Sequence, residues 1–266
     1  MEGHIHHSSS VFDVGGVLSQ VLLAFPFVVA FVIYIYAYQI SKEKGRDWPV
    51  YRLVLFVVGI SFALVSVIGP LAVRVHMDFT YHMLGHLLLG MLAPLLIVLS
   101  APMTLVLRAL SVENAKRLTR ILRSKVVGFF TDPIVASILN IGGLWVLYRT
   151  ELYMAMHESL LLHLLIHMHV FLAGYLFTIS LIYIDPVPHR RTYIYRTIVF
   201  IFALAGHGIL SKQLYAHPPA GVPTSEAQNG GMLMYYGGDV IDAIIIVILF
   251  YQWYQLRAPR PSLVAN

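Results

Sequence analysis

The 266-residue sequence contains no cysteine. No disulfide can form, and no thiolate is available to hold a metal. Any soft-metal site must therefore be built from imidazole and thioether groups. Charge is scarce too: Asp, Glu, Lys and Arg make up 12% of the chain, against about 25% in soluble domains. That is too little to solubilise a globular domain of this size. Apolar residues, 58% of the chain, take its place. They come in blocks of roughly twenty, the length of helix that spans a bilayer core. The fold class this implies is an all-α, multi-pass protein of a cell (plasma) membrane. The net charge of +5 does not indicate nucleic acid as a partner, because the basic residues lie in short loops between apolar blocks. The partner it implies is the lipid bilayer. The opening MEGHIHHSSSVFDVGG lacks the basic n-region of a cleaved signal peptide. Its HIHH run is irregular and reads as native sequence.

Seven transmembrane helices are expected: Val17–Ile40, Leu53–Ala72, Phe79–Leu107, Ile134–Tyr148, Leu160–Ile184, Ile194–Leu210 and Tyr236–Gln255. No Pro/Gly/Ser-rich linker divides them, so residues 1–266 form a single polytopic domain. All Lys and Arg residues except Arg74, Arg149 and Lys212 fall on one side of this topology. The positive-inside rule makes that side cytoplasmic. The N-terminus (segment 1–16) is then outside and the C-terminus inside. The cytoplasmic loop 108–130 is amphipathic. Ser111 is a suitable helix N-cap, and Leu118, Ile121, Leu122 and Val126 share a face opposite basic residues, as in an interfacial helix.

The 13 histidines are distributed unevenly over this topology. Only His189 falls on the cytoplasmic side. His4, His6 and His7 lie in the outer segment, His76 and His157 at the outer mouths of spans three and five, and His217 in an outer loop. His82 and His86 are four residues apart near the outer end of span three. His163 and His167 repeat that spacing at a similar depth in span five. An i,i+4 pair shares one helix face, so two helices can turn two imidazoles each toward a common space. His207 is near the outer end of span six. A membrane-embedded histidine is costly without a partner or a role. Two matched pairs point to a metal or haem site. His169 lies about 200° around the helix from His167, by the 3.6-residue turn, and reads as an interhelical hydrogen-bonding group.

Methionine gives a second signal. Met232 and Met234 stand in QNGGMLMYYGGD, which reads as a polar, glycine-rich outer loop before span seven. Thioether and imidazole without thiolate suit copper, Cu(I) especially. The expected metal ligands are His82, His86, His163, His167, His207, Met232, Met234, His76 and His157. Asp78, Asp239 and Asp242 are placed to orient ligand imidazoles.

Three stretches, HMLGHLLLGMLAPLLIVLSAP (His82–Pro102), HLLIHMHVFLAGYLF (His163–Phe177) and GGMLMY (Gly230–Tyr235), resemble the CtaG-type cytochrome c oxidase assembly family of bacterial membranes. The resemblance implies a seven-span protein needed to mature a haem–copper oxidase by handling copper at the outer face. That role would be an assembly factor's and not an enzyme's. Its partners would be oxidase subunits and an extracytoplasmic copper donor. The sequence departs from the family pattern in two ways. Gly85 and Ile166 stand where a polar residue is expected within each histidine pair, and Tyr148 and Arg149 follow Trp145 where a histidine is expected. Two other readings of the same residues stay open: a membrane cytochrome with bis-histidine haem, and a copper permease.

Overall fold

A computed structural model of the protein describes residues 14–257. The expectations for His4, His6, His7 and the tail beyond residue 257 fall outside these residues. Regular structure among them is entirely helical. Six helices are long and apolar enough to cross a membrane: α1 (Val14–Glu43), α2 (Val50–Val67), α4 (Phe79–Leu99), α10 (Leu160–Leu181), α11 (Tyr193–Ala216) and α12 (Thr224–Arg257). The protein is a multi-pass membrane protein. Large apolar side chains such as Val21, Phe25, Val32, Phe202 and Val247 are exposed on the outside of the bundle, as lipid-facing positions require. A seventh apolar helix, α8 (Pro133–Arg149), is shorter. It runs from one end of the bundle to the other. At its start Asp132 accepts hydrogen bonds from Arg191 and Tyr195, and near its end Tyr148 reaches His82.

Short helices fill the ends: α3 (Gly69–Val75), α5 (Pro102–Ala109), α6 (Val112–Leu122), α7 (Lys125–Phe130) and α9 (Leu152–Glu158). They correct several sequence boundaries. The span expected over Phe79–Leu107 is two helices. Pro102 has no amide hydrogen and disfavours helical geometry in the residue before it. Ala101 turns left-handed, at φ 52°, and the chain restarts as α5. The span expected to continue to Ala72 stops at Val67, because Gly69 adopts φ 80° ahead of Pro70. The largest correction concerns α12. It begins at Thr224 rather than Tyr236, so the glycine-rich stretch is helix and not loop.

Three apolar clusters hold the bundle. One joins α1, α2 and α4 through Phe27, Tyr34, Phe56, Ile60 and Ile97, with Leu105 of the adjoining α5. A second joins α4, α10, α11 and α12 through Leu95, Phe177, Phe200 and Ile245. The third caps the histidine-bearing end with Phe79, Met83, Leu147, Met156, Leu210 and Met234. Two helices carry a π-helical turn, Leu88–Leu92 in α4 and Ile138–Gly142 in α8. Such turns often mark functional sites. The first sits where α4 crosses α10 so closely that a Cβ at Gly174 would overlap the Gly90 carbonyl. The second leaves the Leu139 carbonyl to accept from Nε2–H of His169, 3.0 Å away. His169 is thus an interhelical hydrogen-bonding group, facing away from the other span-five histidines as its register predicts.

Candidate metal centre

Seven of the expected ligands form one continuous track from the surface into the bundle. His157, on α9, and His76, between α3 and α4, are exposed at its mouth. Their ring centroids are 5.7 Å apart. His76 lies 5.0 Å from His163, and His163 lies 4.1 Å from His167 one turn deeper on α10. His167 then shares a cavity of about 20 Å³ with His82, His86, Tyr148 and Ser66. That is room for about one water molecule or one ion. His86 also lines a deeper cavity of about 10 Å³ with His207, Asn140, Asp242 and Met91. The His86 and His207 rings are 6.4 Å apart.

Local structure fixes several of these rings. Asp78 caps α4 by accepting from the Thr80 amide at 2.6 Å, and Glu226 of α12 accepts from the Phe79 amide at 2.9 Å. His82 and His86 are thus held one turn apart from a doubly anchored helix start. Ser159 caps α10 in the same way, at its Leu162 amide. His167 Nδ1 lies 2.9 Å from the His163 carbonyl, and His157 Nδ1 lies 2.8 Å from the Tyr153 carbonyl. A carbonyl oxygen only accepts, so each Nδ1 carries the proton and each Nε2 presents its lone pair. This is the tautomer a metal ligand needs. His82 Nε2 pairs with the Tyr148 hydroxyl at 3.0 Å.

Other ring nitrogens are buried without any hydrogen-bond partner: His82 Nδ1, both nitrogens of His86, His163 Nδ1 and His207 Nε2. Buried polar atoms in folded proteins nearly always have partners, and exceptions call for an explanation. The space around them is protected by small residues. Gly85 lines the first cavity, and a Cβ at Gly238 would strike the His207 ring. At the mouth, partial desolvation of the His76 ring by its neighbours first and the nearby His157 second hold its pKa below the ordinary value. The ring stays neutral, able to ligate, to lower pH than a free imidazole. Burial, reinforced by Glu226 and Asp78, pushes the Tyr153 hydroxyl up to about 12.

The methionines expected as ligands are elsewhere. Met234 is fully buried among Phe79, Met83 and Leu210, while Met232 is 42% exposed on the opposite face of α12. Neither lines a cavity with the histidines. Residues two apart on a helix point about 200° apart, so continuing the helix through this stretch separates them. Of the aspartates, Asp78 is a helix cap, Asp239 is exposed, and Asp242 lines the deeper cavity. Sequence reasoning missed Met91, the thioether that lines the deeper cavity, and Tyr148 as the partner of His82. Among the described residues, no three or more His, Asp or Glu side chains are arranged to hold one metal ion together. The approach is pairwise along the track.

Comparison with known proteins gives a match over residues 32–256 to the model of the cytochrome c oxidase caa3 assembly factor family, Caa3_CtaG. An uncharacterized protein of Mycobacterium leprae is 29% identical over 249 residues, covering 85% of this chain and 38% of its own. Uncharacterized proteins of Mycobacterium bovis and Mycobacterium tuberculosis are each 34% identical over 175 residues, covering 62% of this chain and 26% of theirs. The chain thus spans well under half the length of these curated relatives. No solved structure matches it.

Proposed function

The chain belongs to the cytochrome c oxidase caa3 assembly factor family, and from that premise we propose that it serves oxidase maturation by taking up copper at the outer face of the membrane. The carrying observation is the histidine track, which grades from exposed His157 and His76 to buried His86 and His207. Its role is capture and transfer, without catalysis, between an extracytoplasmic copper donor and oxidase subunits. Pairs of neutral imidazoles suit Cu(I), a soft ion content with few donors. Met91, rather than Met232 or Met234, supplies the thioether. A cavity of about 20 Å³ holds an ion or a water but not a porphyrin, which favours copper over bis-histidine haem. Below His207 and Asp242 the bundle closes into the apolar cluster of Leu95, Phe177, Phe200 and Ile245. A polar track that ends midway favours holding over permeation.

The topology that goes with this reading has seven crossings. At ~1.5 Å per residue, α8 is slightly short for a ~30 Å core, yet it connects the two ends of the bundle. Counting it as a crossing places the N-terminus outside, the C-terminus in the cytoplasm, and the Lys/Arg-rich loops together on the cytoplasmic side. The cysteine-free chain is a clean background for testing this. Ser225→Cys should label with an impermeant thiol reagent in intact cells, and Asn114→Cys only after permeabilisation. Labelling of both from outside would refute the topology. For copper, protein purified under reducing conditions should retain about one copper per chain and compete with a Cu(I) chelator. Stoichiometric haem with a Soret band and no copper would overturn the reading.

A further inference from the structure

At the opposite end of the bundle, four cations converge on a groove that offers them no anion. The groove, of about 550 Å³, lies between α6 and the end of α5. Lys116, Arg120 and Arg123 follow at i, i+4 and i+7, so they share one face of α6. That face looks into the groove rather than away from the protein. Arg46, from the loop between α1 and α2, closes it from another element and is fixed by donating to the Arg108 carbonyl at 3.0 Å. Leu107, Leu110 and Val112 supply an apolar wall. No acidic side chain lines the groove. The one acid of α6, Glu113, is already paired with Arg117, which lies outside the groove. Among the described residues, none of the four groove cations has an ion-pair partner.

All four are exposed to solvent at the groove; four like charges brought together repel, and a bound anion offsets that repulsion. Two features identify the anion's source. The apolar wall sits directly beside the cations, which suits an acyl-bearing molecule better than a bare ion. Nearby, Trp48 stacks against the guanidinium groups of Arg52 and Arg108. Trp48 itself is buried, and tryptophan is enriched at headgroup level in membrane proteins, which places the arginines beside it at that level. We propose that this groove is a binding site for an anionic phospholipid, its phosphate held by Lys116, Arg120, Arg123 and Arg46 and its glycerol and upper acyl region lying against Leu107, Leu110 and Val112. The site is independent of the histidine track.

The test uses purified full-length protein and short-chain lipids read by native mass spectrometry. Dioctanoyl phosphatidylglycerol should bind at least tenfold more tightly than dioctanoyl phosphatidylcholine, and inorganic phosphate should not displace it at equal concentration. Each cation near an anionic headgroup is worth roughly fivefold in affinity. The triple variant Lys116→Gln/Arg120→Gln/Arg123→Gln should therefore lose on the order of a hundredfold, while Arg117→Gln, whose side chain lies outside the groove, stays within twofold. If the triple variant does not fold, Arg46→Gln alone, on a different element, should still lose roughly fivefold. Equal binding of the zwitterionic lipid, full competition by phosphate, or an unchanged triple or Arg46 variant would each overturn the proposal.

Discussion

Where α5 begins, Asp185 accepts from the amides of Met103 and Thr104 and from the Thr104 hydroxyl, at 3.0, 2.7 and 2.6 Å. At the same end Asp132 takes hydrogen bonds from Arg191 and Tyr195, Trp48 donates to Tyr34, and Gln252 of α12 clips both the amide and the carbonyl of Tyr183. Arg196 is fully buried, donates to the Leu181 carbonyl and lies between the rings of Tyr183 and Tyr193. At the histidine end the balance reverses. Five imidazole nitrogens are buried with no partner, four of them around two small cavities and the fifth, His163 Nδ1, nearer the mouth of the track. One end, where only Ser137 Oγ, His189 Nε2 and Arg196 Nε are unpaired among the described residues, uses most of its buried polar groups to lock short helices and loops to one another. The other keeps them available at the cost of stability, as a site evolved to receive something does. Changes at the first end should therefore register as lost stability, and changes at the second as lost binding.

The largest expected effect is on copper. On the proposed reading His86→Ala or His167→Ala removes a direct ligand, and even partners one step removed from a metal cost ~10–100-fold in affinity. Each variant should lose at least that much against a Cu(I) chelator while remaining folded; the cavity left by the deleted ring lowers the thermal midpoint as well, so the midpoint is read alongside. His169→Ala makes the reverse case on the same helix. It breaks the bond to the Leu139 carbonyl, so stability should fall by ~1 kcal/mol with copper binding intact. If His86 and His167 variants bind copper normally, the contrast between the two ends fails at its central point.

Next is Asp185→Ala at the locked end. It leaves the first turn of α5 with two unsatisfied amides, and loss of a capping side chain costs ~1 kcal/mol, up to ~2 where the site is buried. Thermal unfolding in detergent should report this, with copper affinity within twofold of the parent. A larger copper effect would mean that the two ends communicate. The methionines separate the site from its surroundings more finely. Met232→Leu and Met234→Leu should leave copper affinity within twofold, with Met234→Leu costing less than ~1.5 kcal/mol as a volume-conserving core change. Met91→Leu should weaken copper binding and leave stability nearly unchanged.

These contrasts follow how sequence signals map onto physical causes. The long spans and the matched histidine pairs were readable because apolar blocks and i,i+4 spacing are properties of one helix at a time. The glycine-rich stretch before Tyr236 was misleading because glycine marks loops in water but close helix contacts in membranes. Here a Cβ at Gly231 would press on the Ser211 carbonyl and the backbone of Tyr215, and one at Gly238 on the His207 ring. The same error moved Met232 and Met234 from helix to loop and made them look like ligands. Met91 was hidden for a different reason. It lies within the π-helical turn of α4, where the extra residue breaks the 3.6-residue register from which its face would be counted. Tyr148 stood where the family pattern suggested histidine, and its hydroxyl pairs with His82. Pairings across elements, such as Asp185 with α5, carry no local signal at all.

The smallest effect is one of pH, and its sign tests what the locked end is made of. Two influences act on Asp185: burial, which favours the neutral acid, and the bonds from Thr104 and Met103, which favour the carboxylate. Burial is the larger, and the pKa is raised above the ordinary carboxylate value. The native protein then holds this proton at pH values where the unfolded chain has released it. Linkage makes stability fall with rising pH wherever the native state binds more protons. The contribution is therefore complete below about pH 3.9 and is lost as pH rises through the raised native pKa. The neutral variant Asp185→Asn supplies the reference. The stability of the parent relative to this variant should decline as pH rises from about 4, read as the difference in thermal midpoints across a pH series. A relative stability that instead grows with pH over that window would show that the three hydrogen bonds outweigh burial. The carboxylate would then be held as an anion at the start of α5, and the locked end would owe its rigidity to charge–dipole pairing rather than to burial.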